Sequence, residues 1–375
     1  MCKPIQWIGI LIVGMLLVSC GRVKPSSEIY TALPTGDKYV VYTQNGKYGY
    51  MDQGRKLVIK AQFDDARGFV DDLASVKLNG KWGCIDTTGK MVIPPQYNYV
   101  GVFSEGLAAV EQNQKFGFMD KSGKIIIPLK YAGISHFSDG LASVCLWGKK
   151  IKGVMGNDRV EGKWCYIDKT GKVVINELFE DANDFKEGLA SVRIGEGQDE
   201  DVPPKSNYFT SDVKGKGIDN SAYSNISVID NFRYMSHEDR TRYGFIDKSG
   251  KYILKPQYHL AGSFSEGLAP VWMNGKWCYI DKTGKVIIHM QCSEAGEFSD
   301  GFAKVLITKN LKTGEFHRTG KWGYIDKTGT MVIQPQYDDA GDFTNGLAQV
   351  KMNGDFFSSD KWMVINKAGT VVKSQ

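Results

Sequence analysis

A seven-residue stretch, Gly80-Lys81-Trp82-Gly83-Cys84-Ile85-Asp86, returns in altered form along most of the chain, and only a fold built from internal repeats accommodates that recurrence. The copies begin at Lys47, Lys81, Lys115, Lys163, Arg242, Lys276, Lys321 and Lys361, each followed by an aromatic: Tyr48, Trp82, Phe116, Trp164, Tyr243, Trp277, Trp322 and Trp362. Successive copies stand 34, 34, 48, 79, 34, 45 and 40 residues apart. The basic unit is therefore 34 residues, there are eight units, and four of the intervals carry insertions.

Residues 107–128 give the cleanest copy. Leu107-Ala108-Ala109-Val110 is a short apolar run, Asn113-Gln114-Lys115 a turn, and Phe116-Gly117-Phe118-Met119-Asp120 a second run. Lys121-Ser122-Gly123-Lys124 is another turn and Ile125-Ile126-Ile127-Pro128 a third run, so one unit reads as three strands. The spacing Asp-x-x-Gly recurs at Asp86, Asp120, Asp168, Asp247, Asp281 and Asp326, with Asn366 in the last copy. A capping side chain at the start and a Gly in the left-handed position are what a tight turn requires. Alternation puts Trp82 and Cys84 on one face of the second strand and Gly83 and Ile85 on the other. Both faces are apolar, as in a strand packed between neighbours. Linking stretches such as 96–106 and 336–346 repeat a Phe at 69, 103, 137, 185, 264, 298 and 343, read here as the wedge that packs one unit on the next. No helical periodicity occurs beyond the N-terminal segment, which makes the class all-β.

These copies resemble the WG, or KWG, repeat of bacterial proteins over residues 38–373, departing from it at Cys165, Cys278 and Met363, where the motif has Gly. The resemblance implies a β-rich repeat domain with an envelope or binding role and no shared catalytic residues. Eight three-stranded units can be arranged in two ways. The first unit begins with its own first strand, near Tyr39-Val40-Val41-Tyr42, and the last ends with its own third, near Thr370-Val371-Val372-Lys373. No strand is left over to complete a blade from the opposite terminus. That favours an open, solenoid-like stack, with a closed propeller-like ring as the alternative.

The large length changes all fall in one turn, between the Val ending strand one and the aromatic of strand two. The separation is 6 residues in tight units such as Val76 to Trp82 and Val110 to Phe116. It grows to 20 from Val144 to Trp164, 51 from Val192 to Tyr243, 17 from Val305 to Trp322 and 12 from Val350 to Trp362. Like units stacked together send that turn to one rim, so four elaborated loops gather there, where binding function tends to reside. The candidate binding residues are Trp147, Lys149, Lys150 and Lys152 in the first loop, and Tyr208, Phe209, Tyr223, Phe232 and Tyr234 in the long insertion at about 193–241. Phe316, His317 and Arg318 occupy the third loop, and Phe356 and Phe357 the fourth. Aromatics among adaptable polar neighbours suit a protein or glycan surface.

Residues 1–19 carry Lys3 as their only charge and an apolar run from Ile5 to Val18, shorter than the roughly 20 residues a membrane span needs. They read as a signal peptide. Leu17-Val18-Ser19-Cys20 resembles the lipobox of bacterial lipoproteins, which implies cleavage before Cys20 and lipidation of its thiol. Several acyl chains hold a protein stably at a membrane. Residues 20–37, rich in Pro, Ser, Thr and Gly, form a tether. No Asp follows Cys20, and by resemblance to sorting patterns the expected address is the outer membrane, facing the periplasm, with surface exposure open. Beyond residue 19 there are 46 basic and 42 acidic residues, a charge of +4 that is no footprint of a nucleic-acid binder.

The remaining chemistry-bearing residues point to packing. Cys84, Cys145, Cys165, Cys278 and Cys292 are odd in number, lack CxxC spacing and occupy repeat positions, so they read as free core thiols. Each turn Asp has one carboxylate near it, against the six to eight oxygens calcium takes, which excludes a calcium array. The five histidines show no ligand spacing, and no nucleophile elbow or phosphate loop is present. No metal, cofactor or enzyme activity is therefore expected of an envelope scaffold that binds a protein or glycan partner; the alternatives are an enzyme or enzyme accessory acting on envelope glycans and a structural spacer. The lysine ladder reads as solvated turn residues in preference to a track for an anionic polymer.

Overall fold

The computed structural model describes residues 38–52, 54–151, 159–195, 242–308, 320–352 and 362–374. Among them every regular element is a β-strand. The strands form eight sheets in chain order, termed blades 1 to 8: residues 39–63, 65–97, 99–131, 133–179, 181–258, 260–290, 294–337 and 339–374. Blade 3 is representative, with antiparallel strands Tyr99–Ser104, Leu107–Gln112, Lys115–Asp120 and Ile125–Tyr131. Three of these are the strands anticipated from the repeat. The fourth comes from the linking stretch, which elsewhere supplies strands of only two residues such as Asp65–Ala66 and Asp181–Ala182. Its shortness hid it, because two residues carry no alternation. Blade 1 has three strands among the described residues.

The recurrent features of a blade have direct steric causes. In blade 2, Trp82 pairs with Tyr97 and Cys84 with Ile93, so four residues of the last strand span what two span on the motif strand. The bulged backbone lies over Gly83: a Cβ there would stand 2.8 Å from Pro95 N, with Ile93 O closer still. At Cys278 and Met363 that bulge is gone and pairing with the last strand runs on in register, whereas Cys165 keeps the shift. The turn carboxylates cap as expected. Asp120 Oδ1 accepts hydrogen bonds from Ser122 N at 2.9 Å, Ser122 Oγ at 2.6 Å and Lys124 N at 3.0 Å, and Gly123 takes φ of 86°. Last strands expose every second residue, including Val92, Val174 and Ile253, and lie at the periphery. Pro94, Pro95, Pro128, Pro256 and Pro335 in these strands withhold N–H donors and blunt edge-to-edge pairing.

The blades stand in a closed ring, an eight-bladed β-propeller, so the open stack favoured by the strand count gives way to its alternative. One contact makes the geometry plain. Lys186 Nζ of blade 5 bonds Glu297 Oε2 of blade 7 at 2.7 Å, passing blade 6. Sheets stacked face to face lie about 10 Å apart, so two side chains could not bridge alternate sheets of a straight stack. They meet because the short strands, just before Lys186 and Glu297, converge on an axis. The strand count misled because each blade is completed by contiguous chain, while neighbours are joined through side chains. Tyr50–Phe69, Phe118–Phe137, Tyr166–Phe185, Phe245–Phe264, Tyr279–Phe298 and Tyr324–Phe343 pair across blade boundaries with ring centroids 4.6–5.0 Å apart. The recurrent Phe is thus the wedge, each such pair adding about 0.5–1.5 kcal/mol beyond its buried area. Where the partner is Tyr, its hydroxyl also donates to a carbonyl of the next blade, as from Tyr166 to Asn183 O at 2.7 Å.

A second clasp lies on the turn side. Glu105, Asp139, Glu187, Glu266 and Asp300 each accept a hydrogen bond from a glycine N–H of the following blade, at Gly140, Gly188, Gly267, Gly301 and Gly346. Lys169, Lys282 and Lys327 from those blades' turns pair with Glu105, Glu187 and Glu266.

Candidate functional site

Chain direction gives the ring two unlike faces. The Asp-x-x-Gly turns and the carboxylate clasps share one face, and the hairpins between the middle strands of each blade leave the other. On that loop face four ladder lysines reach the residue that follows their own blade's last strand, three of them a carboxylate. Lys47 pairs with Asp64 and Lys163 with Glu180, both at 2.5 Å, while Lys81 meets Asn98 and Lys321 meets Asp338. Three of these lysines are therefore not open to an anionic polymer.

The four enlarged hairpins belong to blades 4, 5, 7 and 8, and the strands flanking them all end on the loop face. Lys152, Tyr208, Phe209, Tyr223, Phe232, Tyr234, Phe316, His317, Arg318, Phe356 and Phe357 lie outside the described residues, as does Cys20. Trp147, Lys149 and Lys150 are described and are not in a loop. Strand Leu141–Ile151 pairs with Arg159–Asp168 as far as Ile151 opposite Arg159, so much of that insertion extends the hairpin, and Trp147 is half-buried. The ladder continues there by backbone pairing, through residues 146–151 whose sequence has no alternation to announce a strand.

What the fold does bring together is a polar cluster at the axis. The residue before each wedge Phe is Gly68, Val102, His136, Asp184, Ser263, Glu297 and Asp342 in blades 2 to 8. His136 Nδ1 approaches Asp184 Oδ2 at 3.3 Å, and Lys304 Nζ approaches Asp342 Oδ1 at 3.3 Å. Glu297 accepts from both Lys186 Nζ and the Ser263 backbone N–H at 2.8 Å. Burial alone would lower the Lys186 ammonium, but the charge and hydrogen bond of Glu297, with Asp184 and Asp342 beyond it, outweigh that and hold it above the usual lysine range. Asp184 Oδ1 is buried without a hydrogen-bond partner.

This arrangement suits recognition of a charged or hydrogen-bonding group. Among the described residues no set of three His, Cys, Asp or Glu is placed to hold a metal ion, and no hydroxyl or thiol is hydrogen-bonded to the His136 ring. The five described cysteines are free and buried. Burial pushes the thiols of Cys84, Cys145, Cys165 and Cys292 up to about 12, which leaves them unreactive. Sequence reading passed over the axial residues because they sit in the linking stretch. The available signal was variation at the position before the recurrent Phe, neutral in blades 2, 3 and 6 and titratable in the rest.

Eight blades around an axis, locked at six of their boundaries by one recurrent aromatic pair, define a β-propeller assembled from sequence repeats. Residues 48–82, 82–116, 116–149, 164–197, 243–277, 279–309 and 322–355 match the family described as WG containing repeat, and the chain belongs to that family. Each match runs from about one motif aromatic towards the next, half a blade out of phase with the sheets. Comparison with curated protein sequences gave no match. Among solved structures, one of a eukaryotic initiation factor aligns with a TM-score of 0.53 at 9% identity over 90% of this chain and 85% of that one, a likeness of fold alone. Apo AztD from Citrobacter koseri aligns with a TM-score of 0.43 at 11% identity over 90% of this chain and 91% of that one.

Proposed function

We propose that the protein is a lipid-anchored scaffold of the bacterial cell envelope that binds a protein or glycan partner through the enlarged hairpins of blades 4, 5, 7 and 8. The observation that carries this reading is that the strands flanking all four insertions end on one face of an otherwise regular ring. Repeats need no such insertions to pack, and loops that vary on a fixed scaffold are the usual seat of binding. The lipobox-like Leu17-Val18-Ser19-Cys20 supports attachment through Cys20, and the absence of Asp after it supports the outer membrane, facing the periplasm. The role is binding, without catalysis or a cofactor.

Deleting residues 196–236 from the full chain tests the reading. A folded variant that no longer retains envelope components in pull-downs agrees with it, and unchanged capture refutes it. Metabolic labelling with a palmitate analogue tests the anchor: Cys20→Ser is expected to lose the label and to be released from membranes.

A further inference from the structure

We propose that residues 30–33, the end of the segment joining Cys20 to the ring, supply the inner strand of blade 1 and so bring the lipid anchor to the loop face; this rests on the anchor proposed above. Blades 2 to 8 each carry a fourth strand at the axis, on the inner side of the strand that begins at Leu73 or its equivalent. In blade 1 no strand lies on that side of Tyr39–Gln44 among the described residues. Val41 and Tyr42, in the middle of that strand, are buried, so this edge belongs to the core and not to the periphery where the last strands run. An open strand edge is a template for pairing.

The chain just before it has the register to pair there. In blades 2 to 8 the second residue of the inner strand stands seven places before Leu73, Leu107, Leu141, Leu189, Leu268, Phe302 and Leu347. It is Ala66, Val100, Ile134, Ala182, Ala261, Ala295 and Ala340, an alanine in five of the seven. Blade 1 is offset from blade 2 by 34 residues, so Tyr39 takes the place of Leu73 and the residue seven before it is Ala32. In blade 2, Arg67 N donates to Ser75 O at 3.0 Å and Asp64 N to Lys77 O at 2.8 Å, and blades 4 to 8 repeat both donations. The same offset sets Leu33 N and Tyr30 N against the carbonyls of Val41 and Thr43. Pro34 falls one place beyond the last donor, where its missing N–H costs the ladder nothing.

Pairing there decides which face meets the membrane. Leu141, an equivalent of Tyr39, directly follows the clasp glycine Gly140, so a chain leaving the ring at Tyr39 would depart on the turn face. Inner strands begin at the opposite end. The residues before them include Asp64, Asn98, Glu180 and Asp338, each met by a ladder lysine on the loop face. Tyr30 is their counterpart, and the chain from Cys20 to it reaches at most about 36 Å. Acyl chains on Cys20 then draw the enlarged hairpins towards the lipid, which selects a partner held at the same membrane surface.

Amide hydrogen exchange on the full-length protein in vesicles of phosphatidylethanolamine and phosphatidylglycerol tests the strand. Residues 30–33 are expected to exchange at least about a hundredfold more slowly than residues 21–28. Leu33→Pro removes a donor and is expected to abolish that protection. Free exchange at 30–33, or protection that survives Leu33→Pro, overturns the inner strand. If the Thr43 amide is then protected only at high protein concentration, a second copy covers the edge instead. Quenching by nitroxide lipids tests the orientation: a fluorophore on Lys276→Cys at the loop face is expected to be quenched more than one on Lys248→Cys at the turn face. Equal or reversed quenching overturns it. Cys20→Ser separates this inference from the anchor it rests on, because it is expected to keep slow exchange at 30–33 while leaving the membrane. Slow exchange in a wild type that takes up no palmitate label keeps the strand and removes the anchor. A labelled protein whose residues 30–33 exchange freely keeps the anchor and removes the strand.

Discussion

Blades 3 and 5 share a frame and differ at its inner end and on its loop face. Their boundary contacts match closely. Phe118–Phe137 and Phe245–Phe264 stand 4.6 and 4.9 Å apart, and Glu105 and Glu187 each accept from a glycine N–H of the next blade at 3.2 Å. Yet blade 3 closes its hairpin tightly between Gln112 and Lys115, places Val102 before the wedge and uses Ser104 to bond Phe137 O. Blade 5 opens its hairpin between Ile194 and Arg242, places Asp184 before the wedge and replaces the serine with Lys186. Contacts between blades are held constant because each must fit two neighbours at once. The loop face and the axis touch fewer partners, and those are the places where the chain has diverged.

If the frame is common, removing it should hurt both blades alike. Phe137 is 1% exposed and Phe264 not at all, so Phe137→Ala and Phe264→Ala should each cost about 3–5 kcal/mol. Chemical denaturation measures both; costs differing by much more than about 1 kcal/mol would break the equivalence. The bulge gives the next largest effect. A Cβ on Gly117 would stand 2.8 Å from Pro128 C and one on Gly244 2.8 Å from Pro256 N, so Gly→Ala at either is expected to cost about 1–3 kcal/mol. Cys165 keeps the same shift with a Cβ in place, so a cost near zero at Gly117 and Gly244 would show that the bulge yields to a side chain.

The turn face supplies a pH test common to both blades. In Asp120 and Asp247 the hydrogen bond from the hydroxyl two residues on, of Ser122 and Ser249, leads the causes that hold the carboxyl below its usual range. Asp86, Asp168, Asp281 and Asp326 are lowered in the same way. A folded pKa depressed below the unfolded value gives stability that is present above the unfolded pKa, about 3.9, and is lost as pH falls through the folded one. The melting temperature should therefore drop below about pH 4. Asp120→Asn and Asp247→Asn should flatten that drop by similar small amounts, while Asn366 of blade 8 contributes nothing to it.

How much of this was legible follows from which signals repeat. Eight units, their three longer strands, the capping Asp, the wedge Phe and the buried thiols all follow from periodicity, because a position fixed by packing recurs with its residue type. The short inner strand did not, since Asp65–Ala66 and its counterparts are recognisable only once paired with Val76 and its equivalents. Ring closure did not either. It depends on the angle between successive blades, which is set by aromatic pairs such as Tyr324–Phe343 that couple residues 19 apart across a boundary. The axial cluster joins residues as far apart as Lys186 and Glu297, a neighbourhood that exists only after the ring has formed.

The smallest expected change in stability carries the most information about function. Replacing residues 195–241 with the two-residue turn Asn113-Gln114 of blade 3 would turn blade 5 into a plain blade, since Ile194 and Arg242 already pair as the last rung of the ladder, as Gln112 and Lys115 do. A long loop closed by a formed hairpin adds only slowly growing entropy cost, so shortening it is expected to leave stability unchanged or raise it by about 1–2 kcal/mol. The wedge Phe264 and the Lys186–Glu297 bond lie away from the excised turn and should persist, the latter visible as a Lys186 ammonium still titrating above the usual lysine range by NMR. A large loss of stability would mean that residues 195–241 pack as part of the scaffold, and the distinction between a common frame and a specialised face would not hold for blade 5.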